Sequence, residues 1–323
     1  MPNLNVAVIA PPGYSKDLGK AGTSSDITFY NLKRDDVTVT FIEPGRYPEK
    51  LSSLFFAVSM ADQVILVVDA LDPTFGECLL MLDLAGITEG VIILRNYISA
   101  EELEPLIRGT VAERYLVMDE EMGRIREMFL EEAEKTRSES PGPEKVTWGS
   151  VPIDHFFNVK GIGTVVLGGV ARGCIRRHET LRVHPTGNSA QVRSIQVHDD
   201  DADMACRGER VGLALKGIET EDLDRGFVLS SDPELTSSTA INGRAELIKY
   251  WPSPLKEGMI IYIGHWLQFL PARLAFIDNA GDWKRPELTL RTDKELVFNP
   301  GSRVLLHYLE GGKLRVVGHM QVS

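Results

Sequence analysis

The sequence predicts an α/β domain followed by two all-β barrel domains, and three observations predict it. Up to about residue 136, apolar runs of strand length alternate with segments of helical spacing, the pattern of a mostly parallel sheet covered on both faces. Past the stretch SESPGPE at 138–144, helical spacing vanishes and short β-branched segments recur between glycine-rich turns, as in β-barrels. A second break, SSDPELTSS at 230–238, splits this half in two. The expected organisation is 1–137, a linker at 138–146, then 147–232 and 236–323.

Taken in order, residues 4–10 read as a buried strand, and 26–31 with 37–42 as a hairpin turned at 33–36. A helix is expected over 50–60, then a continuous apolar strand, QVILVVDA, at 63–70. Residues 77–85 have helical spacing with Gly86 as a stop, and 90–94 is another buried strand. Ser99 suits a helix cap for 100–106, with Glu101 and Glu102 in the first turn. A strand at 114–118 and a helix at 120–136 complete the first domain. In the β half, Gly161, Gly163, Gly168 and Gly169 are expected to let strands bend, with Phe156, Val159, Val165 and Leu167 in the core.

Composition narrows the function classes. With 43% hydrophobic and 25% charged residues, the 323-residue chain suits two or three domains with real cores. The run 55–71 is broken by Asp62, Gln63 and Asp69, so no membrane span is expected, and the N-terminus carries no secretion pattern. A net charge of −11 argues against a nonspecific nucleic-acid coat. Cys78, Cys174 and Cys206 lie far apart in sequence, without metal-ligand spacing. That argues against a disulfide framework or a zinc site and fits a reducing cytoplasm. His178, His184, His198, His265, His307 and His319 are expected on the surface or in barrel loops. Trp251, Trp266 and Trp283 are read as barrel core or interdomain packing, with base stacking as the alternative.

Two stretches carry the functional reading. From 152 to 229 the chain runs PIDHFFNVKGIGTVVLGGVARGCIRRHETLRVHP, later VRSIQVHDDDADMACRGERVGLALKGIETEDLDRGFVL. In the first domain, residues 61–62, 64–70 and 79–86 (LLMLDLAG) add to it. Together they resemble the elongation factors that carry aminoacyl-tRNA to the ribosome, the EF-Tu type and above all its selenocysteine-specific branch, SelB. The resemblance spans nearly the whole chain and implies a shortened, P-loop-like GTPase domain before the two barrels. It is nearest to archaeal SelB-like proteins whose GTPase motifs have degenerated.

Those motifs depart from the family pattern one by one. The phosphate loop, GxxxxGK[ST], cradles phosphates with backbone N–H groups and holds magnesium with its hydroxyl. Here Gly19 and Lys20 survive as a vestige, but Tyr14 replaces the first glycine, Ala21 the hydroxyl residue, and Pro11 and Pro12 lack N–H donors. Only residues 21–25 precede the next strand, about 7.5 Å as helix, so the phosphate-facing helix is missing or vestigial. The switch threonine goes with it. Glu43 is one residue too close to Gly45 for the magnesium-linked Asp of DxxG, and Arg46 stands at the catalytic histidine. The guanine motif NKxD is replaced by Arg95-Asn96-Tyr97-Ile98, and Ser-Ala-Lys by Asp119-Glu120-Glu121. Three lost charge-assisted contacts amount to about 5–9 kcal/mol, or roughly four to six decades of affinity.

In the barrel, Asp154-His155 and Arg210 within GER match the SelB residues that line the selenocysteinyl pocket. An anion pocket suits them, since Arg is permanently charged and a carboxylate can hold His protonated. An ordinary ion pair with a bystander histidine explains the same residues. SelB proteins usually continue into a further domain, and the close at 304–322 counts against delivery of selenocysteine at a recoded codon. The sequence thus implies a pseudo-GTPase, not an enzyme, with no catalytic residues, no metal and no cofactor, GTP and magnesium included. Its expected partner is a tRNA aminoacyl or 3′ end or a ribosome-associated component, with neither membrane nor DNA. Two alternatives stay open: a nucleotide-binding enzyme using Lys16, Gly19, Lys20 and Thr23, and a protein-binding regulatory module.

Overall fold

Seven strands form the sheet of the first unit: β1 (Asn3–Ile9), β2 (Lys20–Ser24), β3 (Thr28–Arg34), β4 (Val37–Glu43), β5 (Gln63–Val68), β6 (Gly90–Leu94) and β7 (Leu116–Met118). Their order is β2-β3-β4-β1-β5-β6-β7, with β4-β1-β5-β6-β7 parallel and β2-β3-β4 antiparallel. The computed structural model describes residues 3–139, 147–198, 200–311 and 314–323. The chain divides into two compact units, Met1–Ser140 and Pro141–Ser323. Most of the linker expected at 138–146 lies outside the described residues.

The helices are α1 (Leu51–Ser59), α2 (Pro73–Ala85), α3 (Ala100–Ile107) and α4 (Met122–Glu139). Every residue of β4 and β5 is buried, as in central strands covered on both faces. Ile125, Phe129 and Ala133 of α4 join the core with Val6, Phe41 and Ile65, and Phe129 meets Phe41 edge to face at 6.0 Å. Ser99 caps α3 in a full capping box with Glu102. α2 starts a turn earlier than its apolar spacing indicates, because Asp72 accepts from Phe75 N at 2.9 Å and Pro73 suits the first helical position. α4 runs past the expected end at 136.

One element differs in kind. Where the sequence left a missing or vestigial helix, the chain forms β2, an antiparallel partner of β3. Gly19 permits the approach, since a Cβ there would meet the Asn31 backbone at 2.9 Å.

The second unit begins with β8 (Gly149–Val159), β9 (Gly163–Gly169), β10 (Arg172–Arg176), β11 (Thr180–His184), β12 (Ser189–Val197), β13 (Asp200–Ala202), β14 (Met204–Cys206), β15 (Arg210–Lys216) and β16 (Val228–Ser230). Six of them run β8-β16-β11-β12-β15-β9, and pairing of β8 with β9 closes the ring. Val151, Ile153, Val166, Leu181, Val192 and Leu213 fill it. Of the expected core residues, Phe156 packs against this cluster, whereas Val159, Val165 and Leu167 are only half-buried and Val166 points inward. With three apolar residues in succession at 165–167, alternation does not choose a face.

The cysteine reading is corrected here. Cys174 and Cys206 form a disulfide, because β10 and β14 pair antiparallel with these two residues directly opposite. A separation of 32 residues in sequence hid a Cα–Cα distance of 4.0 Å. Cys78 is a buried thiol outside the disulfide, and its Sγ donates to the Tyr47 hydroxyl at 3.4 Å.

The last barrel closes in the order β17-β20-β19-β18-β21-β22. Its strands are β17 (Thr236–Leu247), β18 (Ile260–His265), β19 (Gln268–Asp278), β20 (Glu287–Phe298), β21 (Arg303–His307) and β22 (Val316–Val322). Trp251 lies in its core and Trp283 at the core margin, while Trp266 packs on Val228, Leu235 and Val297 between the barrels. Two histidines expected at the surface are buried instead. His265 stacks on Trp266, and His307, with no exposed surface, lies beside Phe269. Buried Asp232 ties the barrels together, accepting from Arg172 Nη1 at 3.1 Å and Asn299 Nδ2 at 3.0 Å.

Candidate functional site

The loop after β1 is built around a carboxylate. Gly13 adopts φ 85°, open to glycine, and starts a single turn of 3-10 helix, Tyr14–Asp17. Gly13 N–H donates to Glu43 Oε1 at 2.5 Å and Ser15 N–H to Oε2 at 3.1 Å. Glu43 ends β4, the parallel neighbour of β1, and is only 4% exposed. Sequence comparison marked Glu43 as a misplaced magnesium-linked residue; the fold places its carboxylate on the loop amides. Gly19 N–H donates to Ser15 O at 3.1 Å, and Lys20 lies exposed on the outer strand β2. The Lys16 ammonium lies beside Gly13, where a Cβ would come within 3.3 Å of it. No sequence signal pointed to Tyr14, Ser15 or Glu43 as one cluster.

Beside this loop, Arg95 follows β6, in the segment where the resemblance leads one to expect the guanine motif. Its Nε donates to Glu120 Oε2 at 2.8 Å, Nη2 donates to Oε1, and Nη1 lies 3.6 Å from Asp69. Its guanidinium sits over the Tyr14 ring at 5.3 Å. Hydrogen bonding to Glu120 raises the Arg95 pKa, and the same contact holds the Glu120 carboxyl below its usual range. Burial, then the charge of Glu120, pushes the Tyr14 hydroxyl up. Asn96 and Tyr97 both take positive φ, and Asn96 Nδ2 donates to Asp69 O at 2.9 Å.

The second cluster joins the three barrel residues singled out in the sequence. Strand β8 shifts register against β9 between Ile153 and His155, leaving Asp154 as the extra residue of a β-bulge. Such bulges re-aim side chains, and the Asp154 carboxylate has no exposed surface. Arg210 opens β15 on the far side of β9, opposite Gly169. Arg210 Nη1 donates to Asp154 Oδ2, Nη2 to Oδ1 at 3.3 Å, and His155 Nδ1 lies 2.9 Å from Oδ1. Burial drives the Asp154 carboxyl up, but the Arg210 charge and the hydrogen bonds from His155 and Arg210 outweigh it and hold it below the usual range. The His155 ring is about one-fifth exposed and Arg210 less so. The cluster presents an imidazole and a guanidinium anchored on one carboxylate. Among the described residues, no group of three or more His, Cys, Asp or Glu is arranged to hold a metal, and no helix is long and apolar enough to cross a membrane.

Comparison with known proteins places this geometry. Residues 163–230 match the family model of elongation factor Tu domain 2. The uncharacterized protein MJ0325 of Methanocaldococcus jannaschii is 35% identical over 307 residues, spanning 95% of this chain and 94% of that protein. The selenocysteine-specific elongation factor of the same organism is 26% identical over 339 residues, covering 95% of this chain and 72% of the relative. The crystal structure of apo SelB from Methanococcus maripaludis superimposes with a TM-score of 0.80 at 20% identity, over 99% of this chain and 79% of that one. The elongation factor Tu domain-2 match sits inside a SelB-like succession of one α/β domain and two six-stranded barrels. The chain belongs to the SelB and EF-Tu-type family of translation elongation factors.

Proposed function

We propose that this protein is a SelB-like translation factor that works in the cytoplasm without bound GTP. In this reading its barrels hold a tRNA aminoacyl or 3′ end, or a ribosome-associated component. One observation carries the reading: the Glu43 carboxylate sits on the Gly13 and Ser15 amides of the loop that follows the first strand. A phosphate brought to those donors would have to displace a buried anion of its own sign. The residues of the loop therefore do not fit a nucleoside triphosphate with magnesium. On the base side, Arg95, Glu120 and Tyr14 fill one another's valences. The barrel cluster supports the second half of the reading, since the Arg210 guanidinium and the His155 imidazole lie together at the bulge of β8. Such a set suits an ionised aminoacyl side chain or a terminal phosphate.

Calorimetry with GTP, GDP and ATP plus magnesium, paired with filter binding to charged and uncharged tRNA pools at low salt, tests both halves. The expected outcome is no heat with any nucleotide and retention of charged tRNA. A micromolar nucleotide response would sink the first half. Indifference to every tRNA would sink the second and leave a protein-binding role.

A further inference from the structure

The disulfide lies one turn away from the barrel cluster, and the backbone between them is tied at every step. Cys206 ends β14, whose strand partner is β10. The turn that follows is closed by Glu209 N–H donating to Cys206 O at 3.0 Å and Cys206 N–H donating to Glu209 Oε2 at 2.7 Å. Arg207 N–H donates to Gly173 O, and Gly208 N–H to Val170 O, both at 2.9 Å. Val170 N–H in turn donates to Glu209 O at 2.9 Å. The next residue is Arg210, whose guanidinium holds Asp154. β10 and β14 stand outside the six-stranded ring, so the disulfide clamps a flap that sets where β15 begins. Cys206 is partly exposed, while Cys174 is 4% exposed.

We propose that Cys174–Cys206 is a thiol–disulfide exchange site whose state positions Arg210 and thereby tunes the anion-accepting cluster. The proposal rests on the reading of that cluster as a binding pocket. The co-reactant is a dithiol, small or protein-borne. Its first thiolate attacks Sγ of Cys206, the more exposed of the two residues, forming a mixed disulfide and releasing the Cys174 thiolate. Its second thiol displaces Cys206 and closes the reductant's own disulfide, and the two protons lost by the dithiol end on the two cysteines. Two electrons pass from the dithiol to the pair. A disulfide in a protein that works among tRNAs faces such reductants. Once the pair opens, the turn leading into Arg210 loses the covalent anchor at its start and is left with its hydrogen bonds and the short ladder of β14 to β10.

The test uses the full chain and two readouts. The Arg210 Nε–H resonance, assigned with Arg210→Lys, is followed by NMR in the oxidised protein, after a dithiol, and in Cys174→Ser/Cys206→Ser. Thiol labelling reports the state of the pair. We expect native-state reduction, guanidinium proton exchange faster by about tenfold or more, and the same spectrum in the double variant, with barrel methyl signals unchanged. If the double variant does not fold, the reduced wild-type protein supplies the comparison by itself. A pair that resists excess dithiol in the native protein overturns the proposal, as does reduction that leaves the Arg210 signal unmoved. Filter binding to a charged tRNA pool is run on both states, with an affinity difference of about tenfold expected. If oxidised protein ignores tRNA, the pocket reading fails, while the Arg210 signal still decides the coupling.

Discussion

Asp154 has no exposed side-chain surface and keeps its charge only because Arg210 and His155 face it. Removing one partner of a buried ion pair leaves the other charge stranded, which costs about 3–5 kcal/mol. Arg210→Ala should therefore lower stability by that order in urea unfolding, while Arg210→Lys should recover part of it. A loss under about 1 kcal/mol would mean the pair behaves as a surface contact. These three residues were legible because a motif places them, Asp154 and His155 adjacent and Arg210 within GER. Glu43 was visible only as a spacing error. Its partners Gly13 and Ser15 are brought to it by the parallel pairing of β1 with β4, which no local pattern encodes.

At the scale of elements, β2 decides how to read Gly19 and Lys20. If they persist to pack an outer strand, their roles should separate. Gly19→Ala would press a Cβ against the Asn31 backbone at 2.9 Å and should destabilise by about 1–3 kcal/mol. Lys20→Ala, on an exposed outer strand, should stay within about 0.5 kcal/mol. Denaturant midpoints of the two variants check this, and equal effects would argue for a shared role in the loop. Most other elements of the first domain could be read from period and caps, as at Ser99 and Gly86. Strand β2 could not, because five residues with two small side chains and two hydroxyls carry neither period strongly.

For the whole molecule, the last barrel imposes a pH limit. Burial holds the His265 pKa down to about 4 and that of His307 to about 3, against 6.5 for the free side chain. Below about pH 6.5 the unfolded chain binds protons that the folded barrel refuses, so stability is full above that pH. It should fall as the pH drops toward about 4 for His265 and about 3 for His307. Asp154, held below the usual carboxylate range by Arg210 and His155, adds a further loss in stronger acid. Urea midpoints at about pH 7 and about pH 5 should show the decline, and His265→Phe/His307→Phe should flatten it. A slope unchanged in that double variant would place the acid sensitivity elsewhere.

By itself the sequence determined the succession of one α/β domain and two barrels, the family, and the absence of an intact nucleotide motif set. Those properties are written in local periodicity, turn residues and short motifs, which a linear reading can see. Only the tertiary structure decided that Glu43 sits on the loop amides, that Cys174 meets Cys206, that His265 and His307 are buried, and that Val166 rather than Val165 faces the core. Each depends on which strands become neighbours and in what register. A shift of one residue exchanges the two faces of a strand, and pairing distant strands brings together side chains that no spacing rule connects.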